Sequence, residues 1–65
     1  MYKVWDLTHI IWNKSWVKIY PNSDEDDVLY EGYMLDVPES LYERKVDCIV
    51  PCSDGIPFIG IELAD

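Results

Sequence analysis

Along much of this chain apolar and polar residues alternate, the period of a half-buried β-strand. Tyr2 to Leu7 reads as a first strand, with Tyr2, Val4 and Asp6 on one face and Lys3, Trp5 and Leu7 on the other. Thr8 to Trp12 continues apolar and β-branched. Asn13-Lys14 then reads as a tight turn, because Asn tolerates a left-handed backbone. Ser15 to Tyr20 is the returning strand, alternating Val17 and Ile19 against Trp16, Lys18 and Tyr20. Pro21 to Asp27 holds Pro, Asn, Ser and four consecutive acids, and reads as a loop.

Val28 to Leu35 reads as a third strand, with Gly32 marking a bulge or a close backbone approach. Val37 precedes a proline and is biased away from the helical region. A short helix is therefore expected over residues 38–44, starting at Pro38 and anchored in the core by Leu41. Lys45 to Pro51 alternates Val46, Cys48 and Val50 against Asp47 and Ile49, a fourth strand. Ser53-Asp54-Gly55 is the clearest turn signal, since Asp-Gly favours a tight hairpin. Phe58 to Leu63 is the last strand, read as an edge strand because Gly60 and Glu62 share one face.

The expected fold is mostly β: five short antiparallel strands and one short helix near residues 38–44. Strands this short must curl to share a core, which predicts a small SH3-like barrel. The alternative is a curled, open antiparallel sheet with the helix on one face.

Length bounds the rest. The 65 residues make one domain, residues 1–65. A domain this size buries only about 60% of its unfolded surface. Three Trp and five Tyr supply large rings to a small core. The thirteen acids and five bases leave a net charge of -8. That balance repels phosphate polymers and anionic lipid, so direct nucleic-acid binding is not expected. No apolar run reaches the roughly 20 residues that span a bilayer. Met1 to Leu7 lacks a basic stretch followed by an apolar one, so no signal peptide and a cytoplasmic location are expected.

The chemistry-bearing residues are sparse. Cys48 and Cys52 are four apart, about 13 Å on an extended strand, too far for one metal or one disulfide unless a bend at Pro51 shortens the distance. Read as buried thiols, they act as small hydrophobes. His9 is the single histidine, with no marked nucleophile or acid beside it, and reads as a structural or surface residue. The run Asp24 to Asp27 lacks the spacing, glycine and closing glutamate of a calcium-binding EF-hand loop, and reads as solvated. Glu31, Asp36, Glu39, Glu43, Asp47 and Asp54 spread further carboxylates over the surface. Such a surface either confers solubility or imitates a phosphate backbone. No phosphate-binding glycine loop, nucleophile elbow or paired-carboxylate signature is present. No enzyme activity and no cofactor are expected.

The aromatic residues exceed what so small a core must bury, and Tyr and Trp dominate binding hot spots. Trp12, Trp16, Tyr20 and Tyr33 are the candidate partner contacts. Trp12, beside an expected turn, leads them.

Five segments carry a resemblance: Trp5-Asp6-Leu7-Thr8, Val17-Lys18-Ile19-Tyr20, Leu29-Tyr30-Glu31-Gly32, Asp36-Val37-Pro38-Glu39-Ser40-Leu41 and Ile59-Gly60-Ile61-Glu62-Leu63. Together they resemble small uncharacterised accessory proteins of Gram-positive prophages and conjugative elements. The resemblance implies an accessory protein acting on host or element proteins, and carries no functional residue. The expected function is a non-enzymatic protein-interaction module with a protein partner, homo-oligomer formation through an edge strand being one form. The alternative is an acidic nucleic-acid mimic that inhibits a nucleic-acid-binding protein.

Overall fold

In the computed structural model, which describes residues 2–64 and only the backbone at Asp54, the chain begins with a helix rather than a strand. Helix α1 spans Val4–Leu7. Val4 and Leu7, three positions apart, fall on one helical face and are both fully buried. Trp5 lies between them and faces solvent. The free N–H groups of the helix start all find acceptors. Lys3 N–H donates to the Asp6 carboxylate at 2.9 Å, Val4 N–H to the Arg44 carbonyl at 3.0 Å, and Trp5 N–H to the Tyr42 carbonyl at 3.0 Å. The last two acceptors lie some forty residues away, so tertiary contacts outweigh the local β pattern. At the other end, the Thr8 hydroxyl donates to the Trp5 carbonyl at 2.6 Å.

The turn at Asn13-Lys14 forms, with Ser15 N–H donating to the Trp12 carbonyl at 2.9 Å. It joins the helical segment to a strand and closes no hairpin. Four strands follow: β1 (Trp16–Pro21), β2 (Tyr30–Tyr33), β3 (Val46–Asp54) and β4 (Ile56–Leu63). The third expected strand is shortened, because Met34–Asp36 winds into a 3-10 turn. Val37 and Pro38 are extended, as the proline requires, and the expected helix is a single 3-10 turn over Glu39–Leu41. Leu41 is its buried anchor.

The strands form one open sheet in the order β2-β1-β4-β3. The expectation of five antiparallel strands closing into an SH3-like barrel is corrected here. Residues 4–7 are helical, the sheet does not close, and β1 runs parallel to β4. The other two pairings are antiparallel. The Asp-Gly turn does join β3 to β4, with Gly55 at φ +82, a conformation that favours glycine. β4, expected at an edge, lies inside the sheet between β1 and β3.

Register explains both faces. Val17 pairs with Ile59, Ile19 with Ile61 and Pro21 with Leu63. Val17, Ile19, Ile61 and Leu63 face α1 and residues 34–41, and with Val4, Leu7, Met34, Val37, Leu41 and Val46 they enclose the core, with Ile59 packed against it. A helix and irregular chain thus cover one face of the sheet, a two-layer solution. The opposite face carries Trp16, Lys18 and Tyr20 on β1 beside Phe58, Gly60 and Glu62 on β4.

Gly60 belongs inside the sheet because Tyr20 lies across it. A Cβ at Gly60 would stand 2.7 Å from the Tyr20 hydroxyl. Gly60→Ala is therefore expected to destabilise by about 1–3 kcal/mol, the usual cost of overpacking. Tyr20→Phe removes the clashing oxygen, so the double variant should recover part of that loss. Urea unfolding of the four proteins of this cycle measures it, and strictly additive losses would contradict the contact.

Candidate functional site

The four candidate contact residues do not share one fate. Tyr20 is only 7% exposed and is withdrawn from the candidate surface. Burial is the chief reason its hydroxyl pKa is raised, and the Glu62 carboxylate adds to it. Its ring packs over Gly60, where no side chain competes for the space.

The other three come together. β1 and β2 pair so that Trp16 lies opposite Tyr33. Their rings meet edge to face, 5.2 Å between centroids and 85° between planes, a favoured aromatic geometry. Tyr33 also lines a shallow groove of about 480 Å³ with Trp12, Asn13, Lys14 and Leu35. Trp12 is 69% exposed, Leu35 64% and Tyr33 50%. Leu35 reaches this place because its N–H donates to the Asn13 carbonyl at 3.0 Å, tying the 3-10 turn to the turn after Trp12. Leu35 was missed from sequence because it read as the end of a strand. The 3-10 turn instead buries Met34 and turns Leu35 outward.

Trp16 carries the rim onto the uncovered face of the sheet. It lines a second, smaller groove of about 140 Å³ with Lys18, Glu31, Ile56 and Phe58. Glu31 accepts from the Trp16 indole N–H at 3.2 Å and lies 3.9 Å from the Lys18 ammonium. That ammonium also sits 4.6 Å above the Phe58 ring, a cation–π distance. These contacts hold the Trp16 ring in place while leaving its neighbours Ile56 and Tyr33 exposed. Preset anchors of this kind lose little side-chain freedom on binding.

The charge is distributed very unevenly. Residues 19–43 contain eight acids and no Lys or Arg, whereas the rest of the chain holds five of each. The whole net charge of -8 therefore belongs to the segment that includes β2 and the loop before it. Within that loop the Asp24 carboxylate accepts from Asp26 N–H at 3.0 Å, and the Asp24 carbonyl accepts from Asp27 N–H at 3.3 Å. The side chain of Asp54 lies outside the described residues.

The remaining chemistry-bearing residues are apart from this rim. His9 is exposed, its ring edge-on to Trp5 at 4.6 Å. Cys48 and Cys52 are free, and Cys48 is exposed rather than buried. The expectation of two buried thiols is thus corrected: Cys52 is half-buried, and Cys48, on the edge strand β3, lies exposed at the sheet margin. The Cys48 thiol donates to Glu62 at 3.1 Å, and this bond, with some desolvation and the nearby carboxylate charge, pushes its pKa up to about 11. Among the described residues no three His, Cys, Asp or Glu side chains are placed to share a metal ion. No helix among them is long and apolar enough to cross a membrane.

The raised thiol has a measurable consequence. At pH 8 a rise from 9.0 to about 11 lowers the thiolate fraction about a hundredfold. The higher basicity returns part of that as nucleophilicity, leaving alkylation about tenfold slower than for an ordinary thiol. Glu62→Gln removes the opposing charge and is expected to speed Cys48 alkylation several-fold, read by mass spectrometry of iodoacetamide-treated protein. An unchanged rate would show that Glu62 does not govern the thiol.

No family model, curated protein or solved structure matches this chain.

Proposed function

We propose that this chain is a non-enzymatic protein-interaction module whose anchor is the rim formed by Trp12, Tyr33, Leu35 and Trp16. One observation carries the reading. Three large apolar side chains, each at least half exposed, converge on a single groove. Exposed apolar side chains scattered singly need no explanation, but a contiguous group marks an interaction surface. Aromatic residues held by neighbouring contacts are the type of side chain that dominates binding energy. The resemblance to accessory proteins of Gram-positive prophages and conjugative elements supports an accessory role in the cytoplasm of such a host. The partner would be a host or element protein.

The confinement of all net charge to residues 19–43 supports a second reading, an acidic mimic that occupies the nucleic-acid groove of another protein. The two differ in salt dependence. Apolar anchoring persists at high ionic strength, whereas attraction between exposed charges is screened within about 10 Å at 0.1 M salt. Affinity capture from a Gram-positive lysate at 50 mM and 500 mM salt, with mass spectrometry of the bound proteins, separates them. A partner held at both salts and lost with Trp12→Ala is expected. A nucleic-acid-binding protein held only at low salt, and indifferent to Trp12, would replace the first reading with the second.

A further inference from the structure

The β2 edge of the sheet has the backbone, side-chain and charge features of a site for an incoming strand. β2 pairs with β1 on one side and ends the sheet on the other. Met34 N–H donates to the Ser15 carbonyl at 2.9 Å. Hydrogen-bonded pairs alternate along an antiparallel ladder, and the pairing of β1 with β2 keeps one register from Trp16 to Ile19. Gly32 and Tyr30 therefore direct their N–H and C=O groups toward β1, and Glu31 and Tyr33 direct theirs outward. The Tyr30 hydroxyl occupies one of the outward groups, donating to the Tyr33 carbonyl at 2.6 Å. Among the described residues nothing occupies Glu31 N–H, Glu31 C=O and Tyr33 N–H, which are placed to receive a strand. The opposite edge, β3, is less suited. It is interrupted by Pro51, and at its start Val46 N–H already donates to the Tyr2 carbonyl at 2.7 Å.

We propose that an extended, basic segment of the partner protein adds to β2 as a fifth strand and seats apolar side chains in the groove of Trp12, Tyr33 and Leu35. This rests on the interaction-module reading and adds to it the partner's chemistry and binding mode. Strand addition obtains affinity from main-chain hydrogen bonds and specificity from pockets beside the edge, and both are adjacent here. Charge selects the occupant. Glu31 lies on the edge, the acids Asp24 to Asp27 precede it and Asp36 follows it, with no base from residue 19 to residue 43. A second copy would bring this acidic segment against its own image, whereas a strand bearing Lys or Arg would be attracted to it.

The test uses an eight-residue peptide alternating lysine with leucine, the same peptide with glutamate for lysine, and the lysine peptide with alternate backbone nitrogens methylated. Amide hydrogen exchange of the intact protein is followed by NMR. With the lysine peptide, the Glu31 and Tyr33 amides are expected to slow at least tenfold, while Gly32, already bonded to β1, changes little. The glutamate and methylated peptides are expected to give no protection. Absence of protection at Glu31 and Tyr33 with the lysine peptide would overturn strand addition. Equal protection by the glutamate peptide would overturn the basic partner. Protection that rises with protein concentration, without peptide, would assign the edge to a second copy and overturn the proposal. The lysate capture with Trp12→Ala reads the module by itself, so the module can stand while strand addition falls.

Discussion

Leu7→Ala is expected to leave a large share of the protein unfolded at 25 °C. The side chain is 1% exposed and packs in the core between α1 and the sheet. Removing a buried leucine to alanine costs about 2–5 kcal/mol, the loss of transfer energy plus the cavity left behind. A domain of this size holds only about 3–5 kcal/mol in reserve. Trp5→Ala is the matched control. Trp5 is exposed and its ring meets His9 edge-on and Tyr42 at a tilt, so its loss should cost about 1 kcal/mol. Urea unfolding followed by circular dichroism compares the two. A strand over residues 2–7 would place Trp5 and Leu7 on one face and make their losses similar. That result would overturn the helix.

Trp12→Ala is expected to weaken partner binding by about thirtyfold or more, the scale of a hot-spot truncation near 2 kcal/mol. Its effect on folding should stay within about 0.5 kcal/mol, as for an exposed side chain outside any network. Tyr33→Ala should also weaken binding. The double variant should lose less than the two losses combined, since both side chains line one groove. Tyr20→Ala gives the contrasting pattern, because Tyr20 is buried over Gly60: it should lower stability first and binding only through that loss. Partner affinity by calorimetry alongside urea midpoints separates these cases. A Trp12→Ala protein that unfolds would place Trp12 in the core and remove the anchor from the proposed site.

How far the site could be read from sequence differs by residue. Trp12 was legible because it precedes a turn, where a large ring finds little cover. Trp16 and Tyr33 were legible as surplus aromatics, but their edge-to-face contact follows from the pairing of β1 with β2. Leu35 was not legible, because period-two alternation assigned it to a strand and the chain winds into a 3-10 turn there. Tyr20 was misplaced for the converse reason. A tyrosine on the uncovered face of a sheet would ordinarily be wet, and only a glycine on the adjacent strand gives it a bed.

What the amino-acid order determines by itself is local and compositional. Alternation over residues 16–20 and 58–63, the extended Val37 before Pro38 and the Asp-Gly turn each act through the dihedral preferences of a few neighbouring residues. Charge segregation is likewise a property of the string. Tertiary structure decided the elements whose local signal was ambiguous. Residues 4–7 suit a strand or a helix. The carbonyls of Tyr42 and Arg44 select the helix by accepting its free N–H groups. The parallel pairing of β1 with β4, which moves β4 from edge to interior, joins residues about forty positions apart. Such pairing is settled by burying Val17, Ile19, Ile61 and Leu63 together in one core, and no short window of sequence contains both partners.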